Sequence, residues 1–326
     1  MFKNVMVYRI GEGFAPTLAE VQAALESAQF VECGASQEKS VGWVPPRGEA
    51  YGPLVESVSG QWMLKLMIES KAVPGNVVRR KADERIAQIE ETTGRKPGKK
   101  EKRDIMDDVL LTLLPQAFSR QSTVMVWLDM DNRRLVINAG SQGKADEVVS
   151  ALMNVLTGLS VSLIQTTLAP QAAMTQWLLA PTEDEWPADL SIERECVLKS
   201  TGEDAASVRF TRHHLANDDV RKHVLEGKLP TQLALSWDGK VAFVLTETLQ
   251  LKKIQFLDGV MDESGTDKNE DRFDADVALS TGLLAPLLDS LVEALGGEMA
   301  LGATADDTRP ALTGSSHEAN DNDPPF

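Results

Sequence analysis

The chain is poor in cysteine, histidine and aromatic residues: its 326 residues include two cysteines, four histidines and 5% aromatics. Cys33 and Cys196 are too few and too far apart for a disulfide framework or a CxxC metal or redox motif, so two reduced thiols are expected. His213, His214, His223 and His317 show no HExxH spacing. The carboxylate pairs Asp129/Asp131 and Asp274/Asp276 are of a kind that chance supplies among 49 acidic residues, and they read as structural or solvated. A metal-dependent nuclease acting on recombination intermediates, the alternative, needs such carboxylates to converge on magnesium. Absent too are GxxxxGK[ST], a GxGxxG after a strand and GxSxG, the minimal signals of phosphate loops, dinucleotide folds and hydrolase elbows. No run approaches the roughly 18 consecutive apolar residues of a spanning helix. The opening MFKNVMVYRIGEG lacks the apolar centre and cleavage site of a signal peptide. A cytoplasmic protein with no membrane partner is expected.

What is present is an ordinary globular composition, 42% hydrophobic and 25% charged, in a chain long enough for two or three domains. A net charge of -16 would repel a polyanion if spread evenly. It is not: from Lys71 to Arg103 there are eleven Lys and Arg against five Asp and Glu, leaving +6 here and -22 elsewhere. Screening acts over about 8 Å at physiological salt, so a phosphate beside this segment feels it more than distant acidic faces.

The pattern is α+β. FKNVMVY at 2–8 reads as a strand, and Thr17 with Glu20 has the capping-box spacing that opens an amphipathic helix. VGWVPP at 41–46 is a short strand closed by two prolines, and QWMLKLMIES alternates Trp62, Leu64, Leu66 and Ile68 on one face. KADERIAQIEE (81–91) and DIMDDVLLTLL (104–114) read as helices around a basic turn region, TTGRKPGKKEKR (92–103), giving a projecting basic helical hairpin. Strands at 122–130 and 133–139 turn at Asp131-Asn132, followed by a helix near 144–157 and a strand near 161–166. The second half repeats the mixture: helices near 171–180 and 217–226, strands within 191–212, and strands in LALSW, VAFVLTET and LKKIQFL. An apolar helical pattern in 272–298 stops at Gly296-Gly297, and Pro286 kinks it or marks its start. These elements divide into a central α+β domain (1–76 plus 116–168), the hairpin as a tip (77–115), a second α+β domain as a base (169–300) and a disordered acidic tail (301–326).

Arg79, Arg80, Lys81, Arg85, Arg95, Lys96, Lys99, Lys100, Lys102 and Arg103 supply phosphate contacts with no base-reading element, which predicts sequence-independent DNA binding. A solvated helix pair without a ligand is the plainer reading. Arg209, Arg212 and His213 form a second candidate set for phosphate, or an ordinary solvated face. Phe118, between small residues after Pro115, is either core or an exposed probe for another subunit or a base.

FKN at 2–4, GWVPP at 42–46, LLPQAFSR at 113–120, LALSW at 233–237 and RFDADVALSTGLLAPLLDSLVEALGGE at 272–298, spread over residues 1–299, resemble the RdgC family of bacterial recombination-associated proteins. The resemblance implies a ring-shaped homodimer whose subunits meet at both ends around a basic hole. Such a ring would encircle double- or single-stranded DNA without sequence preference, using no cofactor or metal. It further implies a nucleoid-associated, non-enzymatic antagonist of RecA that competes for DNA. By motif, Phe118 matches the family phenylalanine at the subunit contact. Arg212 and His213 fall where the family often has Lys-Gln, a departure that keeps a cation and a hydrogen-bonding neighbour. The acidic tail departs from the pattern as well. An adaptor that binds RecA but not DNA is a further alternative.

Overall fold

A computed structural model describes residues 2–202, 206–257 and 269–299. The expected tail 301–326, with His317, lies outside the described residues. The architecture is mixed α+β, with two antiparallel sheets and seven α-helices among the described residues.

The first sheet is built from β1 (Met6–Ile10), β2 (Lys39–Val44), β3 (Val55–Val58), β4 (Gln61–Lys71), β5 (Ser119–Asp129), β6 (Arg134–Ile137) and β7 (Val161–Leu163). Its order is β2-β4-β5-β6-β1-β7, with β3 also paired to β4. Side chains alternate across a strand, so each strand serves two layers. Leu64, Leu66 and Ile68 of β4, with Val124, Val126 and Leu128 of β5, pack under α1 (Leu18–Glu26) and α4 (Gln142–Val155). Met63 and Trp127, one position out of phase, face the other way and join the core of the second half.

The capping box that opens α1 is present: Thr17 Oγ1 accepts the Glu20 amide at 3.3 Å, and Glu20 accepts the Thr17 amide at 2.7 Å. Thr17→Ala leaves a helix-end donor unpaired and is expected to cost about 1 kcal/mol. The check is a lower urea midpoint with an unchanged denaturant slope.

The second sheet runs β12-β11-β10-β8-β9, formed by β8 (Leu190–Ser200), β9 (Ser207–Thr211), β10 (Lys228–Trp237), β11 (Val241–Thr246) and β12 (Leu251–Phe256). Helices α5 (Pro170–Leu179), α6 (Asp218–Leu225) and α7 (Asn269–Ala294) accompany it. The N-terminal segment joins the two sheets, because Val5 and Leu251 exchange backbone hydrogen bonds of 2.7 and 3.0 Å. By length and composition α7 could cross a bilayer. Its Val277, Leu284, Leu287, Leu288 and Leu291, at helical spacing, are buried against the sheets, the pattern of a core helix. Pro286 lies inside α7 and does not mark its start. The helix stops where the sequence indicated: Gly296 and Gly297 have φ of 80° and 86°, and the Gly297 amide returns to the Val292 carbonyl at 2.9 Å.

Candidate nucleic-acid interface

The most cationic segment is an insertion between two neighbouring strands. The β4–β5 ladder continues without a break to the pair Lys71 and Ser119, so residues 72–118 leave and re-enter the sheet at one place. Within them, α2 (Gly75–Thr93) and α3 (Lys99–Leu113) pack through Val78, Ala82, Ile105, Val109 and Leu113, an apolar cluster separate from the two larger ones. Gly94, at φ 68°, ends α2 by returning its amide to the Glu90 carbonyl at 2.9 Å.

The expected turn region is shorter than the sequence suggested, because residues 99–103 are the first turns of α3. Glu101 is the cause. It accepts the Gly98 amide at 3.3 Å and holds the Arg95 guanidinium with both oxygens at 3.0 Å. With one acceptor fixing the N-terminus, the good helix formers Lys99, Lys100, Lys102 and Arg103 follow.

All ten candidate cations of this pair are exposed. Arg95 is paired with Glu101 and Lys96 with Glu90, the latter at 3.5 Å. Arg79, Arg80, Lys81, Arg85, Lys99, Lys100, Lys102 and Arg103 make no ion pair among the described residues. Four of these eight stand at the start of α3, where the helix dipole is itself positive and unpaired amides point outward, so the charges add. Lys81 and Arg85, one turn apart, line with Glu84 and Gln88 a groove of about 300 Å³ against Val109, Thr112 and Leu113 of α3. The rest of α3 is acidic. Counting Asp104, Asp107 and Asp108, residues 75–113 hold ten Lys and Arg against eight Asp and Glu, a net of only +2. Positive potential is therefore concentrated at Arg79–Arg85 and Lys99–Arg103 rather than spread along the pair.

The second candidate set sits at β9 and the loop after it. Arg209 lies 3.4 Å from Glu195, and Arg212 is exposed with a left-handed φ of 54°. His213 is half-buried: its Nδ1 is 2.8 Å from the His214 carbonyl and 3.1 Å from Asn217 Nδ2, and its ring packs 5.3 Å from that of Phe210. Asn217 in turn caps α6 by accepting the Val220 amide at 2.9 Å. This histidine thus has a structural duty beside any contact with a ligand. No hydrogen bond, ion pair or ring contact joins this set to the helix pair among the described residues. Sequence reasoning missed Lys253 on β12, which shares Glu195 with Arg209 at 2.9 and 3.0 Å. The contact spans 58 positions, and no local pattern announces it.

Phe118, open to either reading from sequence, is 94% exposed and stands at the root of the insertion, directly before β5. One member of each carboxylate pair is engaged elsewhere. Buried Asp129 accepts the Asn132 backbone amide at 3.1 Å and its side-chain amide at 2.8 Å, which holds the β5–β6 turn. Asp274 pairs with Arg47 at 2.6 Å. Among the described residues no group of three or more His, Cys, Asp or Glu is placed to hold a metal ion. Both cysteines are free thiols, and burial pushes the Cys196 thiol up to about 12.

A family model described as "Putative exonuclease, RdgC" matches residues 1–298. "Recombination-associated protein RdgC" of Dechloromonas aromatica is 39% identical over 303 residues, covering 91% of this chain and 98% of that protein. The protein of the same description from Herminiimonas arsenicoxydans is 40% identical over 301 residues, covering 92% and 99%. That from Cupriavidus pinatubonensis is 40% identical over 299 residues, covering 91% and 98%.

Proposed function

The chain belongs to the RdgC family of recombination-associated proteins, and from that membership we propose that it binds double- and single-stranded DNA irrespective of sequence and thereby restrains RecA. In this reading two subunits close a ring around the DNA, with residues 77–115 as the tip of each subunit and 169–300 as its base. The DNA carries the protein to the nucleoid, and RecA is opposed because the ring occupies the polymer on which its filament grows. The chemistry is electrostatic occupation rather than bond cleavage.

One observation carries the reading: eight exposed cations of the helix pair that make no ion pair among the described residues, four of them on a helix N-terminus. Cations so placed exchange condensed counterions for phosphate contacts and read no base edge. An acidic protein tolerates this because acidic faces more than about 8 Å away are screened, although Asp104, Asp107 and Asp108 of α3 lie closer.

The test is fluorescence anisotropy on unrelated duplexes across a salt series, with DNA integrity checked in the same samples with and without chelator. Similar affinities, intact DNA and a log–log salt slope of about -4 to -7 are expected, if roughly half or more of the eight cations meet phosphate. Strong sequence preference or a flat salt response overturns the reading. The family model's description favours an exonuclease, and chelator-sensitive shortening of the DNA would establish that instead. Association with RecA in the absence of any DNA binding would establish the adaptor.

A further inference from the structure

The sheet and the helix pair are fastened very differently on the two sides of the last β4–β5 rung. At that rung the Lys71 amide donates to the Glu38 carbonyl at 2.8 Å, and its Nζ donates to the Gly34 carbonyl at 2.8 Å. Two positions earlier, buried Glu69 accepts the Cys33 amide at 2.7 Å, and the Cys33 thiol donates to the Glu69 carbonyl at 3.8 Å. Residues 33–38 are thus strapped across the end of the ladder. From residue 72 to residue 118 the pattern reverses. Among the described residues, the hydrogen bonds and ion pairs of this segment all stay within it. Val77 and Val78 return their amides to the Pro74 carbonyl, and Ala117 returns its amide to the Leu114 carbonyl.

The two connectors are short: 72–74 before α2, and 117–118 between the 3-10 turn and β5. Proline fixes its own φ and holds the residue before it extended, so Pro74 stiffens Val73. Rotational freedom is left at Ala72 on one connector and at Ala117 and Phe118 on the other. Leu114 of the 3-10 turn is fully buried, and apolar packing, being non-directional, permits rotation where a ladder does not. Neighbouring strands lie about 4.8 Å apart, so two connectors leaving one rung define a single short axis.

We propose that α2 and α3 swing as one body about this axis, and that burial of Phe118 fixes them. A few loop residues suffice for such a hinge. The 19 residues of α2 span about 28 Å, so a rotation of about 10° carries the far end, where Lys99–Arg103 stand, through about 5 Å. That exceeds the spacing of phosphates along one DNA strand, about 3.4 Å of helix axis, so the cation cluster can re-register on backbones of different shape. Phe118 belongs to the hinge and its ring is exposed, so a contact that covers the ring holds the pivot. This last step rests on the reading of Phe118 as a subunit contact, whereas the swing itself requires neither DNA nor a partner.

The test is pulsed electron paramagnetic resonance between spin labels at Glu91→Cys on α2 and Ser150→Cys on α4, in a Cys33→Ser background. Both labelled positions are exposed, and Cys196 is fully buried. Labels at Asn76→Cys and Glu91→Cys, about 22 Å apart along α2 itself, give the width that the label linkers alone produce. Each labelled chain is diluted with unlabelled chain carrying the same residue 118, so distances are read within one subunit, and sedimentation of the same samples reports association. With Phe118→Ser the α2-to-α4 distribution is expected to be about twofold or more wider than that of the α2 ruler. In the associated chain that retains Phe118 it should narrow to the ruler's width. A Phe118→Ser distribution as narrow as the ruler overturns the swing. Equally broad distributions in Phe118→Ser and in the associated chain overturn the fixing. If the chain that retains Phe118 stays monomeric, the subunit-contact reading fails by itself, and the swing then requires both distributions to be broad.

Discussion

Reversing Lys99, Lys100, Lys102 and Arg103 to glutamate is expected to lower DNA affinity by about a thousandfold at low salt and to reduce the salt slope by about three to four. Each phosphate contact contributes about 0.9 to that slope, and a reversed charge both removes an attraction and adds a repulsion. Misfolding is a poor explanation for such a loss. Acidic residues in the first turn of α3 suit the helix dipole better than the native lysines do, and Glu101 keeps its bond to the Gly98 amide. That gain offsets the like-charge i,i+4 pairs created with Asp104 and Asp107, so the helix pair should keep its fold in the variant, which far-UV circular dichroism can verify. Reversal of Arg95 and Lys96 is the matched control. Their charges are already engaged by Glu101 and Glu90, so a smaller effect is expected. Unchanged affinity and slope in the fourfold variant would remove α3 from the DNA interface.

Phe118→Ser should weaken self-association by about a hundredfold while leaving the unfolding midpoint of the isolated subunit where it was. The separation rests on exposure. A phenylalanine 94% open to solvent contributes almost nothing to the subunit's own core. If it is buried at a subunit contact, about 2 to 3 kcal/mol of transfer energy depends on it, which is roughly a hundredfold in the association constant. Sedimentation equilibrium reads the association, and chemical unfolding at high dilution reads the subunit. A ring that cannot close should also release DNA faster, so the off-rate is expected to rise. An unchanged dimer constant would mean that Phe118 does not join the subunits.

Signals carried by near neighbours were legible in the sequence. Thr17 and Glu20 bracket one helix start, Gly296 and Gly297 stop another, and the alternation of Leu64, Leu66 and Ile68 marks the face that α1 and α4 cover. The basic run between α2 and α3 was legible as a break, although Lys99–Arg103 read as turn rather than helix. A run of Gly, Pro and Lys looks irregular until the single acceptor at Glu101 is weighed against it. Interactions between distant parts of the chain were not legible. Exposure of Phe118 depends on what the β4–β5 ladder and the 3-10 turn at Leu114–Gln116 leave uncovered. Likewise, Lys253 meets Glu195 only once five strands are in order. Met63 and Trp127 differ from their neighbours only in phase, yet that phase assigns them to the core shared with the second half.

The pairing of Lys71 with Ser119 separates a frame from a branch. One residue added within β4 would turn every later side chain of that strand to the opposite layer, exchanging Leu64 and Leu66 with Met63 and its phase. One residue added between 72 and 118 shifts nothing in either sheet, because both ends of that segment return to the same rung and its apolar cluster is its own. The branch can therefore change in length or charge without moving a rung of the sheet, whereas the frame that carries it cannot change length within β4 without exchanging its two layers.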